Sequence, residues 1–171
     1  NTFASPYNQQ PIRLGCDVSI HSATKYLGGH NDVTAGAAAG PKEIIEPVKK
    51  LRRTLGGVLD PHGAWLLLRG MKTLGLRMER HNLNGQLVAE HLATHPKVER
   101  VYYPGLNTHP QHSLARRQMK GFGGVLSFEL KGDLAQTIRF VDNLELALLG
   151  PSLGGVESLV TQPSTASHYF M

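Results

Sequence analysis

The sequence has little cysteine: Cys16 is the single one among 171 residues. One cysteine excludes an internal disulfide framework, which suits a reducing compartment. We interpret Cys16, in "LGCDVSI", as a small core residue leading into a strand rather than as a nucleophile. Aromatic residues are also scarce, at 6%, but 40% of the residues are apolar, which is typical of a globular protein.

Long apolar runs and a strong charge of one sign are missing too. No run approaches the ~20 apolar residues that a membrane-spanning helix needs, and no secretory signal is evident. The net charge is only +5, from 18 basic and 13 acidic residues. The densest basic patch, "KKLRR" at 49–53, is typical of a solvated helix end. We therefore predict neither a membrane nor a nucleic-acid partner.

Three common site motifs are absent. Lys25 lies between Thr24 and Tyr26, which does not fit the G-x-x-x-x-G-K-[ST] phosphate loop, and "GAAAG" at 36–40 is not G-x-G-x-x-G. No H-E-x-x-H occurs, and one cysteine cannot build a zinc finger. We interpret "HPQH" at 109–112 as a surface loop and helix start, and we predict no metal site.

The periodicity of apolar residues predicts an α/β protein. Short strands are predicted at 16–20 and 32–40, and a helix at 41–56 that Pro47 could interrupt. The longest helical signal covers 59–96, with Asp60 as N-cap and an apolar stripe of Leu67, Met71, Leu74 and Met78. Its glycines, Gly70, Gly75 and Gly85, indicate close packing or a break.

After residue 96 the pattern becomes strand, helix, strand, helix. These elements are predicted at 97–105, 109–119, 123–132 and 133–144. We place a domain boundary here, with 1–95 ending a larger domain that includes the long helix. Residues 96–171 would then form part of a smaller α/β domain.

The chemistry-bearing stretch is "DVSIHSATKYLGGHND" at 17–32. A lysine can form a Schiff base with a carbonyl cofactor, of which pyridoxal 5'-phosphate (PLP) is the common case. Ser22 and Thr24 place two hydroxyls just before Lys25, and hydroxyls with backbone N–H groups can hold a phosphate. Taken alone, the pattern is more typical of a surface lysine in a Ser/Thr-rich loop.

The same stretch resembles the signature of the Cys/Met-metabolism family of PLP-dependent enzymes, the cystathionine γ-synthase, γ-lyase and β-lyase group. The likeness continues in the same order along essentially the whole chain, through "NTFASPYNQQP", "LRGMKTLGLRME", "VYYPGLNTHPQH", "GFGGVLSFEL" and "PSLGGVESLVTQP". The resemblance implies an α/β fold: the later part of an aspartate aminotransferase-like, fold type I large domain, then part of its smaller C-terminal domain.

The resemblance also implies roles for single residues. Lys25 matches the Schiff-base lysine, which also shuttles the proton, and Ser22 and Thr24 match the hydroxyls that bind the cofactor phosphate. Ser152 matches a position beside the substrate carboxylate, although it could be an ordinary turn serine. Tyr26 and His30 fit the signature as packing residues.

The implied reaction is transsulfuration on PLP. The γ-synthase activity, replacement on an activated homoserine ester with cysteine to give cystathionine, is favoured by the overall motif pattern. Pro151, where γ-lyases often carry glutamate, points the same way, while a cystathionine or methionine γ-lyase stays the alternative. The family implies a homotetramer, in the cytoplasm or, in a plant-like host, a plastid.

The chain departs from the family pattern at its ends. It begins with Asn1, and the family's aspartate opposite the pyridine nitrogen would immediately precede that residue. The family's ring-stacking tyrosine lies further upstream, and its carboxylate-binding arginine would lie after Met171. We expect an internal piece of a longer enzyme, inactive or nearly so by itself. A non-catalytic interaction module that keeps the fold is the alternative from another class.

Overall fold

The computed structural model describes residues 1–166 and shows helices alternating with three small sheets. Within these residues the helices, in chain order, are α1 (Ser5–Asn8), α2 (Lys42–Leu55), α3 (Pro61–Met71), α4 (Leu74–Thr94), α5 (His112–Gln118) and α6 (Leu134–Asp142). The strands are β1 (Ser19–Ser22), β2 (Gly36–Ala39), β3 (Val98–Tyr102), β4 (Ser127–Leu130), β5 (Leu148–Leu149) and β6 (Leu159–Val160). Short 3-10 turns cover Pro11–Leu14 and Pro163–Thr165.

The strands pair in sequence order. β1 with β2 and β3 with β4 are antiparallel, whereas β5 with β6 is parallel. The strand predicted in "GGVLSFELKG" is present as β4, where Phe128 and Leu130 are half-buried while Ser127 and Glu129 are exposed. The mixture of helices and sheets agrees with the α/β prediction.

The predicted long helix is two helices. Asp60 caps α3 as expected, accepting a hydrogen bond from the Gly63 amide at 3.0 Å, and Pro61 occupies the first turn. A turn at 72–73 then separates α3 from α4. The glycines were predicted to mark either a break or close packing, and Gly70 shows both. The break lies close to it, and a side chain on Gly70 would overlap the Gly28 carbonyl oxygen. Pro47, by contrast, does not end α2, which continues to Leu55.

The core of the described residues is small and partly polar. Its fully buried large side chains are Tyr26, Tyr103, Met78, Asn8 and Ser5. The Asn8 and Asn82 amides exchange two hydrogen bonds, of 2.8 and 2.9 Å, joining α1 to α4. The Asn82 Oδ1 also accepts the Gly123 amide at 2.9 Å, so a single amide group connects three segments.

The predicted domain division at 95/96 falls between the end of α4 and the start of β3, and it stays a prediction. The last five residues of its second range, 167–171, lie outside the described residues. Within residues 1–166 no helix is both long and apolar enough to cross a membrane.

Candidate functional site

A short turn after β1 carries Lys25. The Lys25 amide donates to the Ser22 carbonyl at 3.2 Å, and the Gly28 and Gly29 amides donate at 2.8 Å to the carbonyls of Ala23 and Lys25. Ala23 is fully buried under the turn. These hydrogen bonds therefore fix the backbone on both sides of Lys25, which restricts the position of its side chain.

The Lys25 amine meets a serine from the far end of the chain. Nζ donates a hydrogen bond to Ser152 Oγ at 2.8 Å, across 127 residues of sequence. Ser152 has φ = 101°, a left-handed conformation that is uncommon for a residue with a side chain. Strained residues of this kind cluster at functional sites. The contact with Lys25 and the strained backbone favour a functional role for Ser152, which stays a prediction.

An open cleft of about 510 Å³ adjoins this pair. Its lining is mostly polar and includes Thr24, Asn31, Asp32, Val33, Thr34, Pro151, Ser152 and Leu159. The cleft thus lies beside the predicted cofactor lysine and beside the serine predicted to approach the substrate carboxylate.

The two predicted phosphate ligands flank the same turn. Thr24 Oγ1 accepts a hydrogen bond from the Ala35 amide at 2.9 Å and donates one to the Ala35 carbonyl oxygen at 3.3 Å. The Ser22 amide donates to Thr2 Oγ1 at 2.9 Å, and the Ser22 hydroxyl makes no hydrogen bond to another described residue. The Lys25 amine likewise forms no salt bridge with a described carboxylate. A primary amine and hydroxyls on one turn, beside an open cleft, fit a carbonyl cofactor that carries a phosphate.

Sequence reasoning missed the contacts that hold Ser152 near Lys25. A side chain on Gly154, which has φ = 82°, would approach the Tyr26 amide nitrogen to 2.6 Å, so the two segments touch backbone to backbone. Asn31 Nδ2 donates to Glu157 Oε2 at 2.6 Å, closing the same contact at its other end. The glycine pairs at 28–29 and 154–155 are the available sequence signal, because glycine allows close backbone contacts. They do not indicate which segment of the chain each pair contacts.

Arg77 is a second residue that the sequence reading missed. Its guanidinium donates to the Tyr26 carbonyl oxygen at 2.8 Å, directly after Lys25 in the chain. Arg77 lies on α4 between Leu74 and Met78, two members of the predicted apolar stripe. A charged residue at the border of an apolar stripe was the available signal.

Three lesser interpretations have mixed outcomes. Tyr26 is a packing residue as predicted, 1% exposed and edge-on to His81. The packing interpretation of His30 is wrong, because the residue is exposed and its Nδ1 lies 2.9 Å from the Gly28 carbonyl oxygen, bracing the turn. The core interpretation of Cys16 is also wrong, because its chain segment precedes β1 on the surface and the thiol is exposed.

Titratable groups behind the turn are shifted by burial. Burial raises the pKa of Tyr26, although its hydrogen bond from Gly124 opposes the shift. Burial, and secondarily the Arg77 charge, lower the pKa of His81. Among residues 1–166 no cluster of His, Cys, Asp and Glu could hold a metal ion.

Known proteins are similar in sequence to this chain over nearly its whole length. It is 52% identical over 168 residues to cystathionine gamma-synthase 1, chloroplastic, of Arabidopsis thaliana, covering 98% of this chain and 30% of that protein. It is 53% identical over 169 residues to cystathionine beta-lyase of Lactococcus lactis subsp. cremoris, covering 98% of this chain and 44% of that protein. The chain thus spans less than half the length of these relatives.

A solved structure agrees with the fold. The crystal structure of cystathionine gamma synthase from Xanthomonas oryzae pv. oryzae, in complex with aminoacrylate and cysteine, matches with a TM-score of 0.96 and 45% identity. The match covers 100% of this chain and 44% of that one. The predicted fold, the later part of a fold type I PLP-dependent transferase, is confirmed.

The family profile described as Cys/Met metabolism PLP-dependent enzyme matches residues 1–171. The resemblance that Lys25 and its flanking segments indicated therefore extends over the full chain. This chain belongs to the Cys/Met metabolism family of PLP-dependent enzymes.

Proposed function

We propose that the protein catalyses transsulfuration with PLP, as a cystathionine γ-synthase-like enzyme that replaces the γ-substituent of an activated homoserine ester with cysteine. The observation that carries the proposal is the 2.8 Å hydrogen bond between Lys25 Nζ and Ser152 Oγ, at the edge of an open polar cleft. A lysine so placed has both a partner to orient it and access to a small-molecule ligand.

Each proposed site residue then has a task. Lys25 Nζ holds the cofactor covalently and, when released, moves a proton at the substrate α-carbon. Ser22 and Thr24 hold the phosphate, with the Ser22 hydroxyl free among the described residues to donate. Ser152 orients the Lys25 amine and lies beside the position of the substrate carboxylate. Bound PLP supplies the electron sink for the carbanion chemistry.

A γ-lyase is the second candidate, because a methionine γ-lyase relative is 48% identical to this chain, only slightly below the 52% of the γ-synthase. The two candidates share every site residue named above and differ in what completes the reaction. A synthase consumes cysteine and releases cystathionine. A γ-lyase instead takes up water and releases a thiol, a 2-oxo acid and ammonia from cystathionine or methionine. Product analysis with these substrates supplied separately distinguishes the two.

The test of the site is substitution of Lys25 in the full-length protein. We expect borohydride reduction after PLP addition to label the Lys25 peptide, and Lys25→Ala to remove that label. Turnover should fall about a thousandfold or more, since a positioned acid–base group typically contributes 10²–10⁴-fold. Lys42→Ala is the matched control, because Lys42 is exposed at the start of α2.

An absence of label from well-folded wild-type protein would contradict the proposal. It would favour the non-catalytic interaction module instead. A label on Lys25 without turnover of any homoserine ester, cystathionine or methionine would keep the cofactor assignment and remove the transsulfuration assignment.

The remaining expectations belong to the same proposal. Its substrates are small amino acids, and its assembly is a homotetramer with no nucleic-acid or membrane partner. The compartment is the cytoplasm or, in a plant-like host, a plastid, which the chloroplastic Arabidopsis relative supports. The division into a larger domain (1–95) and a smaller one (96–171) is likewise proposed.

A further inference from the structure

Arg77 connects the Lys25 turn to the junction of two helices. Its Nη1 donates to the Tyr26 carbonyl oxygen at 2.8 Å, and its Nη2 donates to the Gly70 carbonyl oxygen at 2.8 Å. Its Nε donates to Thr73 Oγ1 at 3.0 Å. All three guanidinium nitrogens are therefore used, on acceptors from three separate points of the chain.

The charge of Arg77 is held by neutral oxygens. Among the described residues the guanidinium forms no salt bridge, and the residue is half-buried. Burial lowers the pKa of Arg77 below its ordinary value. Carbonyl and hydroxyl acceptors in a fork suit the planar guanidinium, whereas a lysine ammonium could not reach all of them from one position.

These contacts involve the backbone of the turn that carries Lys25. The Tyr26 carbonyl belongs to the residue after Lys25, and a side chain on Gly29 would overlap the guanidinium. The Gly28 carbonyl lies against Gly70 at the same place. Arg77 thus fills the space between turn 25–29 and the α3–α4 junction, and it fixes the carbonyl that follows the lysine.

We propose that Arg77 is a positioning residue for Lys25. It holds the backbone of turn 25–29 so that Lys25 Nζ stays within hydrogen-bonding distance of Ser152, which lines the cleft. This inference rests on the proposed function, because it assumes that Lys25 is the residue that carries the cofactor. Arg77 is not among the residues that line the cleft, so it acts through the turn.

The first experiment measures amide hydrogen exchange in the full-length protein without cofactor. We expect Arg77→Ala to speed exchange of the Gly28 and Gly29 amides about tenfold, because hydrogen bonds from a charged donor are among the stronger ones. Arg77→Lys should give a smaller increase. Arg80→Ala is the matched control, since Arg80 is exposed on α4 three residues after Arg77, and its loss should leave the turn unchanged.

The second experiment follows borohydride trapping of PLP on Lys25. We expect trapping to slow about tenfold in Arg77→Ala, and added guanidinium, below denaturing concentrations, to restore part of the rate, because it offers the same planar set of donors. A merely structural role would spread faster exchange over α3 and α4 and would show no rescue. That result, or exchange and trapping equal to Arg80→Ala, would overturn the inference.

Hydrogen exchange and borohydride trapping together distinguish a failure of this inference from a failure of the proposed function. Failure of wild-type protein to trap PLP on Lys25 would remove the proposed function, while the exchange data would still decide whether Arg77 holds the turn. Where Arg77→Ala does not fold, Arg77→Lys carries both comparisons, with reduced but local effects expected.

Discussion

Tyr26 joins the Lys25 turn to the glycine pair Gly123–Gly124 across the core. Its hydroxyl accepts the Gly124 amide at 3.0 Å, and the neighbouring Tyr103 hydroxyl donates to the Gly123 carbonyl at 2.8 Å. Burial, and secondarily Tyr26, raise the pKa of Tyr103 to about 12. Both phenols therefore remain neutral at physiological pH and act as fixed hydrogen-bonding groups behind the candidate site.

His81 gives the pH prediction at this scale, because burial lowers its pKa below the ordinary value of 6.5 and Arg77 adds to the shift. A depressed pKa means that the unfolded state binds more protons between the two values. The stability contribution is fully present above about 6.5 and is lost as the pH falls from there through the folded pKa. Urea unfolding of the full-length protein between neutral and acidic pH should show this decline.

The variant His81→Phe keeps an aromatic ring against Tyr26 and removes the titration. We expect its stability to vary less over the same pH range. His91→Gln, at an exposed position of the same helix, should follow the wild-type curve. Equal slopes for wild type and His81→Phe would contradict the assignment.

At the scale of elements, two glycines on the α3–α4 pair differ in their surroundings. A side chain on Gly70 would overlap the Gly28 carbonyl oxygen, whereas one on Gly75 would lie 3.7 Å from the Tyr7 ring, an ordinary contact. Because alanine favours a helix over glycine by up to about 1 kcal/mol, the local surroundings decide the sign of each substitution.

We expect Gly70→Ala to lower the free energy of unfolding and to weaken the contact between α3 and the Lys25 turn. Gly75→Ala should be neutral or stabilising by up to about 1 kcal/mol. Chemical unfolding of both variants beside wild type makes the comparison. Equal effects of the two substitutions would show that the Gly70–Gly28 contact does not matter to stability.

The same elements show what periodicity can and cannot predict. The spacing of Leu67, Met71, Leu74 and Met78 continues unchanged across the turn at 72–73, so the pattern predicts one helix where there are two. Asp60, by contrast, caps α3 by accepting a hydrogen bond from the amide of Gly63, only three positions along the chain, and this capping role was predicted. Local chemistry can be predicted from sequence, while a break that preserves the spacing cannot.

The candidate site likewise has residues that could be predicted from the sequence and contacts that could not. Lys25, Ser22 and Thr24 are adjacent in the chain, so the family signature places them together. The contacts of Arg77 with Tyr26 and of Asn31 with Glu157 join residues 51 and 126 positions apart. No spacing rule reports such pairs, because they depend on how the segments pack in three dimensions.

For the whole molecule, the main feature is apolar surface on α2 and α3. Leu51, Leu55, Trp65 and Leu68 are between 56% and 80% exposed. Exposed apolar patches of this kind mark interfaces or cause aggregation. Their position on two consecutive helices indicates that this chain exposes apolar surface when it is made alone.

We expect the 171-residue chain, produced alone, to self-associate in light scattering and size-exclusion chromatography. Leu55→Lys combined with Leu68→Lys should reduce that association, because both changes replace exposed apolar area by charge. Thr54→Lys adds a charge beside Leu55 without removing apolar surface, and it should have a smaller effect. A chain that stays monomeric at high concentration would contradict this expectation.

The contact between Lys25 and Ser152 also has a consequence for synthesis on the ribosome. The two residues are 127 positions apart. At about 5–20 residues per second, Ser152 is made roughly 6 to 25 s after Lys25. During that interval the nascent chain has the reactive amine but not its serine partner. Productive loading of a cofactor on Lys25 is therefore a late event, which follows translation of the C-terminal half.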